Sequence, residues 1–310
     1  MKTYKISIYP KSGFASDLSS DIIFGHFCWA YRYLYGEEEL LNLLNNFEEK
    51  PFILSSMMIE DSSDLYVYFP FYLIVNYNTD NSFVKKIKKQ RYISLKFLKN
   101  HLNNFRTGKF FDEIKENVDN EIFPKDLIKI IDVPHNTIGR ISAKVIEGMF
   151  FTDQEYFLNS NYNYCFFVKD SVLGEEKISE IMDYLESTGF GKDKSTGKGY
   201  FDYDIKDDDL SGDVENPNAF ILLSKYIPKD GEEINGCYQI KPKIGRLGEE
   251  FAREKPFFKR PLFFIEEGAL LETSNKKEYY GKILENVHIN ENIVHYGLGF
   301  PLFLKYEGEL

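Results

Sequence analysis

The chain has 310 residues, 43% of them hydrophobic and 28% charged, with a formal net charge of −11. That balance supports a packed core in one large or two ordinary domains and excludes a disordered chain; the acidic total leaves nucleic-acid binding only to a locally basic face. Aromatic content of 16%, with 28 Phe and 22 Tyr, leaves two readings open: surfaces on which bases stack, or a compositional bias.

Residues 3–9 alternate, with Tyr4, Ile6 and Ile8 on one side, and predict a half-buried strand. Ser20 has the chemistry of a helix N-cap, and Asp21 follows where the helix dipole favours a carboxylate. Ile23, Phe27, Ala30, Tyr31 and Leu34 then recur at helical spacing, and after Gly36 the stripe resumes at Leu40, Leu43, Leu44 and Phe47. A second strand at 52–55 closes a β-α-β unit. Residues from about 60 to 160 read as an insertion of mixed patterning. It contains a run from Lys85 to Lys109 with nine Lys and Arg side chains and no acid, and the segment from Pro134 to Arg140. The longest apolar run, 66–75, is broken by Pro70 and far too short to span a bilayer.

Regular patterning returns at 162–168, an aromatic-rich strand. Ile178, Ile181, Met182 and Leu185 predict a helix that ends at Gly189, and 200–205 predict another strand. The order β-α-β, insertion, β-α-β is that of a ferredoxin-like or RRM-like domain, so the fold class is α+β. Residues 207–218 are acidic and turn-rich, a candidate linker; with Asp202 and Asp204 just before them they carry Asp207, Asp208, Asp209, Asp213 and Glu215 against Lys206. Beyond them the chain is strand-like. The expected division is 1–210 and a β-rich domain over 211–310.

Three cysteines, Cys28, Cys165 and Cys237, stand far apart, so neither a disulfide framework nor a zinc site is expected. His101, His135, His288 and His295 have no metal-ligand spacing. No charged leader precedes the first strand, and a soluble cytoplasmic protein without metal or cofactor is the expectation.

The segment Gly189, Phe190, Gly191, Lys192, Asp193, Lys194, Ser195, Thr196, Gly197, Lys198, Gly199 is the most informative. Its glycines allow close approach of a ligand with N–H groups exposed, and its lysines and hydroxyls suit phosphate. Two nucleotide fingerprints fail on it. Five residues rather than four separate Gly191 from Gly197, and Lys198 is followed by Gly199 where a Walker loop has Ser or Thr. Lys194 stands where a dinucleotide fingerprint needs its third glycine, and the loop runs from helix to strand. ATP and NAD are therefore disfavoured, and the backbone of a polyanion is favoured.

A glycine-rich loop before the last strand of a ferredoxin-like domain resembles the signature of the RAMP superfamily of CRISPR RNA-binding proteins. Residues Ser20 to Ala30, Asn136 to Arg140, the loop, Tyr238 to Arg246, Pro261 to Leu271 with Glu267-Gly268, and His295-Tyr296-Gly297 resemble, in order, the family of the fourth subunit of the type III-A Csm effector complex. The resemblance implies two ferredoxin-like domains, the first with a thumb-like hairpin insertion. It implies a non-catalytic subunit of a hetero-oligomer that holds the 5′ repeat-derived tag of the CRISPR RNA and joins the large signature subunit to the backbone RAMP subunit. Carried over residue by residue, the RNA-binding candidates are Ser20, Asp21 and Gly25 on the first helix; Asn136 and Arg140 on the thumb; Gly189, Gly191, Lys192, Lys194, Ser195, Thr196, Gly197, Lys198 and Gly199 in the loop; and Lys243 and Arg246 in the second domain.

His26 departs from the family pattern, which has a small or apolar residue there. It opens a rival: a RAMP endoribonuclease that cuts repeat RNA with His26 as acid or base and Tyr31 or Lys192 as helper. A protein-only scaffold that binds partners through its acidic linker and aromatic surfaces is the third reading.

Overall fold

The structure is a computed structural model that describes residues 1–308 apart from 118, 119, 121, 209, 211–213 and 254. Asp209 and Asp213 of the acidic run, and the start of the expected second domain at 211, lie outside the described residues.

The first half comprises β1 (Lys2–Pro10), α1 (Ser20–Tyr35), α2 (Glu37–Asn45), β2 (Phe52–Leu54), β3 (Met58–Glu60), β4 (Leu65–Tyr68), α3 (Asn81–Ile87), β5 (Tyr92–Ser94), α4 (Leu95–Lys99), α5 (Thr107–Asn117), β6 (Ile128–Ile138), β7 (Val145–Leu158), β8 (Asn163–Asp170), α6 (Gly174–Thr188) and β9 (Phe201–Asp207). Its antiparallel sheet runs β5-β4-β3-β8-β1-β9, with β2 also on β8. β2 and β3 are two pieces of one strand, broken where Ser56 turns its N–H to the carbonyl of Leu223. Counting them as one, the order second-third-first-fourth is that of two split β-α-β units, with α1 and α6 as the crossovers. β1 lies between β8 and β9, so Ser7 on its far side is buried along with Tyr4, Ile6 and Ile8. Helix α1 begins one residue earlier than its sequence suggests. Ser19, not Ser20, occupies the cap position, and its hydroxyl donates to Asp21 rather than accepting from the backbone.

The insertion has two unlike parts. In the first, β4 and β5 extend the sheet, while α3 to α5 enclose an aromatic cluster of Phe69, Phe97, Phe105, Phe110 and Phe111 around the buried His101. The basic run falls here: Phe83, Ile87, Ile93 and Leu98 point inward, and Lys85, Lys88, Lys89, Lys96, Lys99, Arg106 and Lys109 point to solvent. The second part is the β6–β7 ribbon, paired from Ile128↔Leu158 to Ile138↔Val145. Such a ribbon is marginal alone. Its root is fastened by a bridge from Phe14 to Tyr156 and by the ring of Phe157 against Gly13, while Ile130, Ile138, Met149 and Phe150 remain exposed along its length.

The second half comprises β10 (Ala219–Leu222), β11 (Gly236–Cys237), β12 (Ile240–Lys243), β13 (Leu262–Ile265), β14 (Leu270–Glu272), β15 (Tyr280–Leu284), β16 (His295–Gly299) and β17 (Pro301–Leu304). Its sheet order is β11-β14-β10-β17, again second-third-first-fourth and antiparallel. Among the described residues this half has no α-helix. The β15–β16 hairpin stands where the second crossover helix would be, which accounts for the weak helical periodicity there.

The segment between β9 and β10 is no free tether: Leu210 and Val214 are buried against the core. The two halves share that core across a polar seam. Tyr296, 1% exposed, donates its hydroxyl to the carbonyl of Leu54 at 3.1 Å and accepts the N–H of Leu54 at 2.7 Å. Tyr296→Phe strands both groups, and we expect a loss of about 2 kcal/mol in urea denaturation. A loss below about 0.5 kcal/mol would mean that water replaces the hydroxyl. No helix among the described residues is long and apolar enough to cross a membrane.

Candidate nucleic-acid interface

The glycine-rich loop leaves α6 at Gly189 and is folded back on itself. Phe190 donates to Gly199 O at 2.9 Å, and Gly199 donates to Gly13 O at 2.9 Å. A Cβ on Gly199 would lie 1.9 Å from Phe190 O, so only glycine permits this approach. Gly191 has φ +90°, and its N–H donates to His26 Nε2 at 3.1 Å; the next N–H, of Lys192, donates to Ser16 Oγ at 2.6 Å. Thr196, Gly197 and Lys198 donate to carbonyls of Asp193 and Lys194. The sequence suggested that the glycines expose N–H groups to a ligand. Instead most of those groups bond inward, and the glycines serve to fold the loop.

The loop offers side chains to solvent. Lys192, Ser195, Thr196 and Gly197 are exposed. Lys192 pairs with Asp193 at 3.3 Å. Lys194 and Lys198 are less accessible, because Lys194 pairs with Glu249 of the second half and Lys198 with Glu155 at the root of the ribbon. Neither carboxylate was foreseen from sequence, since each is distant along the chain.

At the start of α1 the sequence candidates divide. Ser20 is fully buried: its N–H donates to Ser56 Oγ at 2.9 Å and its hydroxyl accepts the N–H of Lys225 at 3.1 Å. Asp21 is buried too. Lys243 reaches it at 2.6 Å, His295 Nε2 lies at 3.5 Å, and Ser19 donates to it at 2.7 Å. Burial alone would raise this carboxyl, but His295, Lys243 and Lys225 together hold it well below the usual carboxylate range. Asp21 and Lys243, expected separately as RNA contacts, are thus each other's partners across the seam. Close by, Lys225 pairs with Asp17 at 2.9 Å and Ser56 donates to Glu267 at 2.6 Å. Gly25 differs from its neighbours: a Cβ there would meet nothing within 4 Å, so that flank of α1 is open to a ligand.

Arg246 is exposed on the second half, beside Gly248, which approaches Trp29 of α1. Asn136 and Arg140 are exposed on the ribbon, Arg140 at its tip. The structure therefore brings the loop, α1 and the segment 243–249 into contact with one another, with Asn136 and Arg140 out on the ribbon.

His26, the acid–base candidate, packs on Phe190 with ring centroids 4.2 Å apart, and burial together with Lys194 lowers its pKa to about 3. His101 and His295 are also lowered, chiefly by burial. The unfolded chain takes up protons on all three below about pH 6.5. Their contribution is therefore fully present above that pH and is lost as pH falls, by up to about 1.4 kcal/mol per pH unit for each. Between pH 7 and 5.5 we expect denaturant unfolding to show a loss of about 2 kcal/mol, reduced in His101→Phe. A stability unchanged over this range would contradict neutral buried imidazoles.

Among the described residues no cluster of ligands fit for a metal ion occurs. No family model and no curated protein matches the chain. The fold itself is found in solved structures. A chain of the Csm1-Csm4 cassette in complex with AMPPNP superposes with TM-score 0.66 at 17% identity, covering 99% of this chain and 100% of that one. The cassette in complex with pppApA gives 0.65 at 17% identity, covering 99% of each chain. The Csm3-Csm4 subcomplex in the type III-A CRISPR-Cas interference complex gives 0.63 at 19%, covering 99% and 100%. At these identities the likeness is one of fold, spanning the whole length of both chains.

Proposed function

We propose that this chain is a non-catalytic, Csm4-like subunit of a type III-A CRISPR effector that holds the 5′ tag of the guide RNA. Csm4 is the component named in both kinds of assembly it resembles, with Csm1 in one and Csm3 in the other, and a large and a backbone partner are taken from that pairing. The observation that carries the RNA reading is the loop itself. It is fastened to α1 by His26 and to the segment before α1 by Ser16, and it turns Lys192, Ser195 and Thr196 to solvent, while the flank of α1 at Gly25 is open. A phosphate entering there meets the Ser195 hydroxyl, and competes with Asp193 for Lys192 and with Glu249 and Glu155 for the other two lysines. Holding is favoured over cutting because the imidazole of His26 is neutral and its Nε2 is already occupied by Gly191.

The test is equilibrium binding of an oligoribonucleotide with the tag sequence to the purified chain over a salt series. We expect the log–log slope to fall by about 0.7 for each phosphate contacted. A flat response contradicts phosphate holding and leaves the protein-only scaffold. Metal-free cleavage of repeat RNA would instead favour the endoribonuclease.

A further inference from the structure

His26 has a physical role at the glycine-rich loop. Its ring covers Phe190, which also lies 6.1 Å from Phe14, while Nε2 accepts the N–H of Gly191. Ser16 takes the following N–H, of Lys192, and a Cβ on Gly191 would come within 2.7 Å of the Ser16 hydroxyl. Two consecutive amides at the bend of the loop are thus bound by side chains from the segment that runs from β1 into α1. Lys192 and the turn Lys194–Thr196 follow directly from that bend, so its orientation sets theirs. The task needs a flat ring to cover Phe190 and a ring-edge acceptor for a backbone N–H. Neutral imidazole supplies both; phenylalanine supplies only the ring, and glutamine only the acceptor. Burial, and after it the neighbouring ammonium of Lys194, keep the imidazole in the accepting form.

We propose that His26 is a positioning residue: with Ser16 it latches the glycine-rich loop to α1 in the shape that meets RNA phosphate. The proposal rests on the RNA-holding reading and adds to it the device that fixes the loop.

The experiment compares the full-length wild type, His26→Phe, His26→Gln and Ser16→Ala, using the tag oligoribonucleotide and amide hydrogen exchange. His26→Phe should weaken tag binding about tenfold and raise exchange at Gly191 and Lys192, with exchange in β1 unchanged. His26→Gln should restore the protection and bring binding to within about threefold of wild type. Ser16→Ala, a small change that leaves the helix intact, should raise exchange at Lys192 and weaken binding several-fold. If His26→Phe and Ser16→Ala bind as wild type does, the latch is overturned while the RNA-holding reading stands. If the wild type itself does not bind tag RNA, both are overturned.

Discussion

With Lys192, Lys194 and Lys198 all changed to Ala, the chain is expected to bind tag RNA about a hundredfold more weakly near 0.1 M salt, with a salt slope shallower by about 2. The three ammonium groups stand on one loop of eleven residues. The bonds that shape that loop run between backbone groups and to His26, Ser16 and Gly13, so its fold does not depend on the lysines. Lys192 is 61% exposed, whereas Lys194 and Lys198 are partly buried against Glu249 and Glu155, so any stability lost with those pairs is read from unfolding and separated from lost affinity. The check is a binding titration at several salt concentrations with unfolding measured alongside. An unchanged slope in a well-folded variant would remove the loop from the RNA site.

Asp21→Ala should have the largest effect on stability, a loss of about 3 kcal/mol. It deletes the one carboxylate that Lys243, Ser19 and His295 converge on, and leaves those groups facing each other at the seam between the halves. The figure is set at the low end for a buried pair because the Lys243 side chain is 23% exposed and keeps some water. Changing Lys243 to Met in the same chain should recover at least about 1 kcal/mol, since the cation, left with only Asp17 at 4.0 Å, is then gone. Because the folded state lowers the pKa of Asp21, its contribution is present above about pH 4 and is lost as pH falls below that. The variant should therefore show a flatter acid limb than wild type between about pH 4 and 2. Urea denaturation across this range measures both effects; an Asp21→Ala variant as stable as wild type would show that the network is solvent-relaxed.

Much of the fold was legible because period and order are local. The alternation at Tyr4, Ile6 and Ile8 and the stripe Ile178, Ile181, Met182, Leu185 sit where their spacing placed them, and the β-α-β order gave the first sheet. The second half was readable as β-rich, yet its matching strand order was hidden, because hairpins replace the helices that would have announced it. Residues from about 60 to 160 read as one insertion of mixed patterning but contain both a packed aromatic lobe and an exposed ribbon, a division set by tertiary burial.

At the site, residue types were legible and their partners were not. Gly191 and Lys192 were singled out, but Ser16 and His26, which take their N–H groups, are 176 and 165 positions away. Asp21 and Lys243 were both named, and nothing local signals that they neutralise each other. The local sequence at Ser20 suggests a cap and an RNA contact, but Ser20 is sealed in the seam by Ser56 and Lys225, residues far along the chain.

A chain that holds the tagged end of a guide RNA should be purified with that RNA bound, so the RNA it carries identifies its role. The chain would be co-expressed with its genomic neighbours, the assembly purified, and the bound RNA sequenced, for the wild type and for the triple lysine variant. The wild-type assembly should carry RNA with a common repeat-derived 5′ end, and the variant should lose it. RNA without a common 5′ end, or a variant that retains the same tagged RNA, would contradict it.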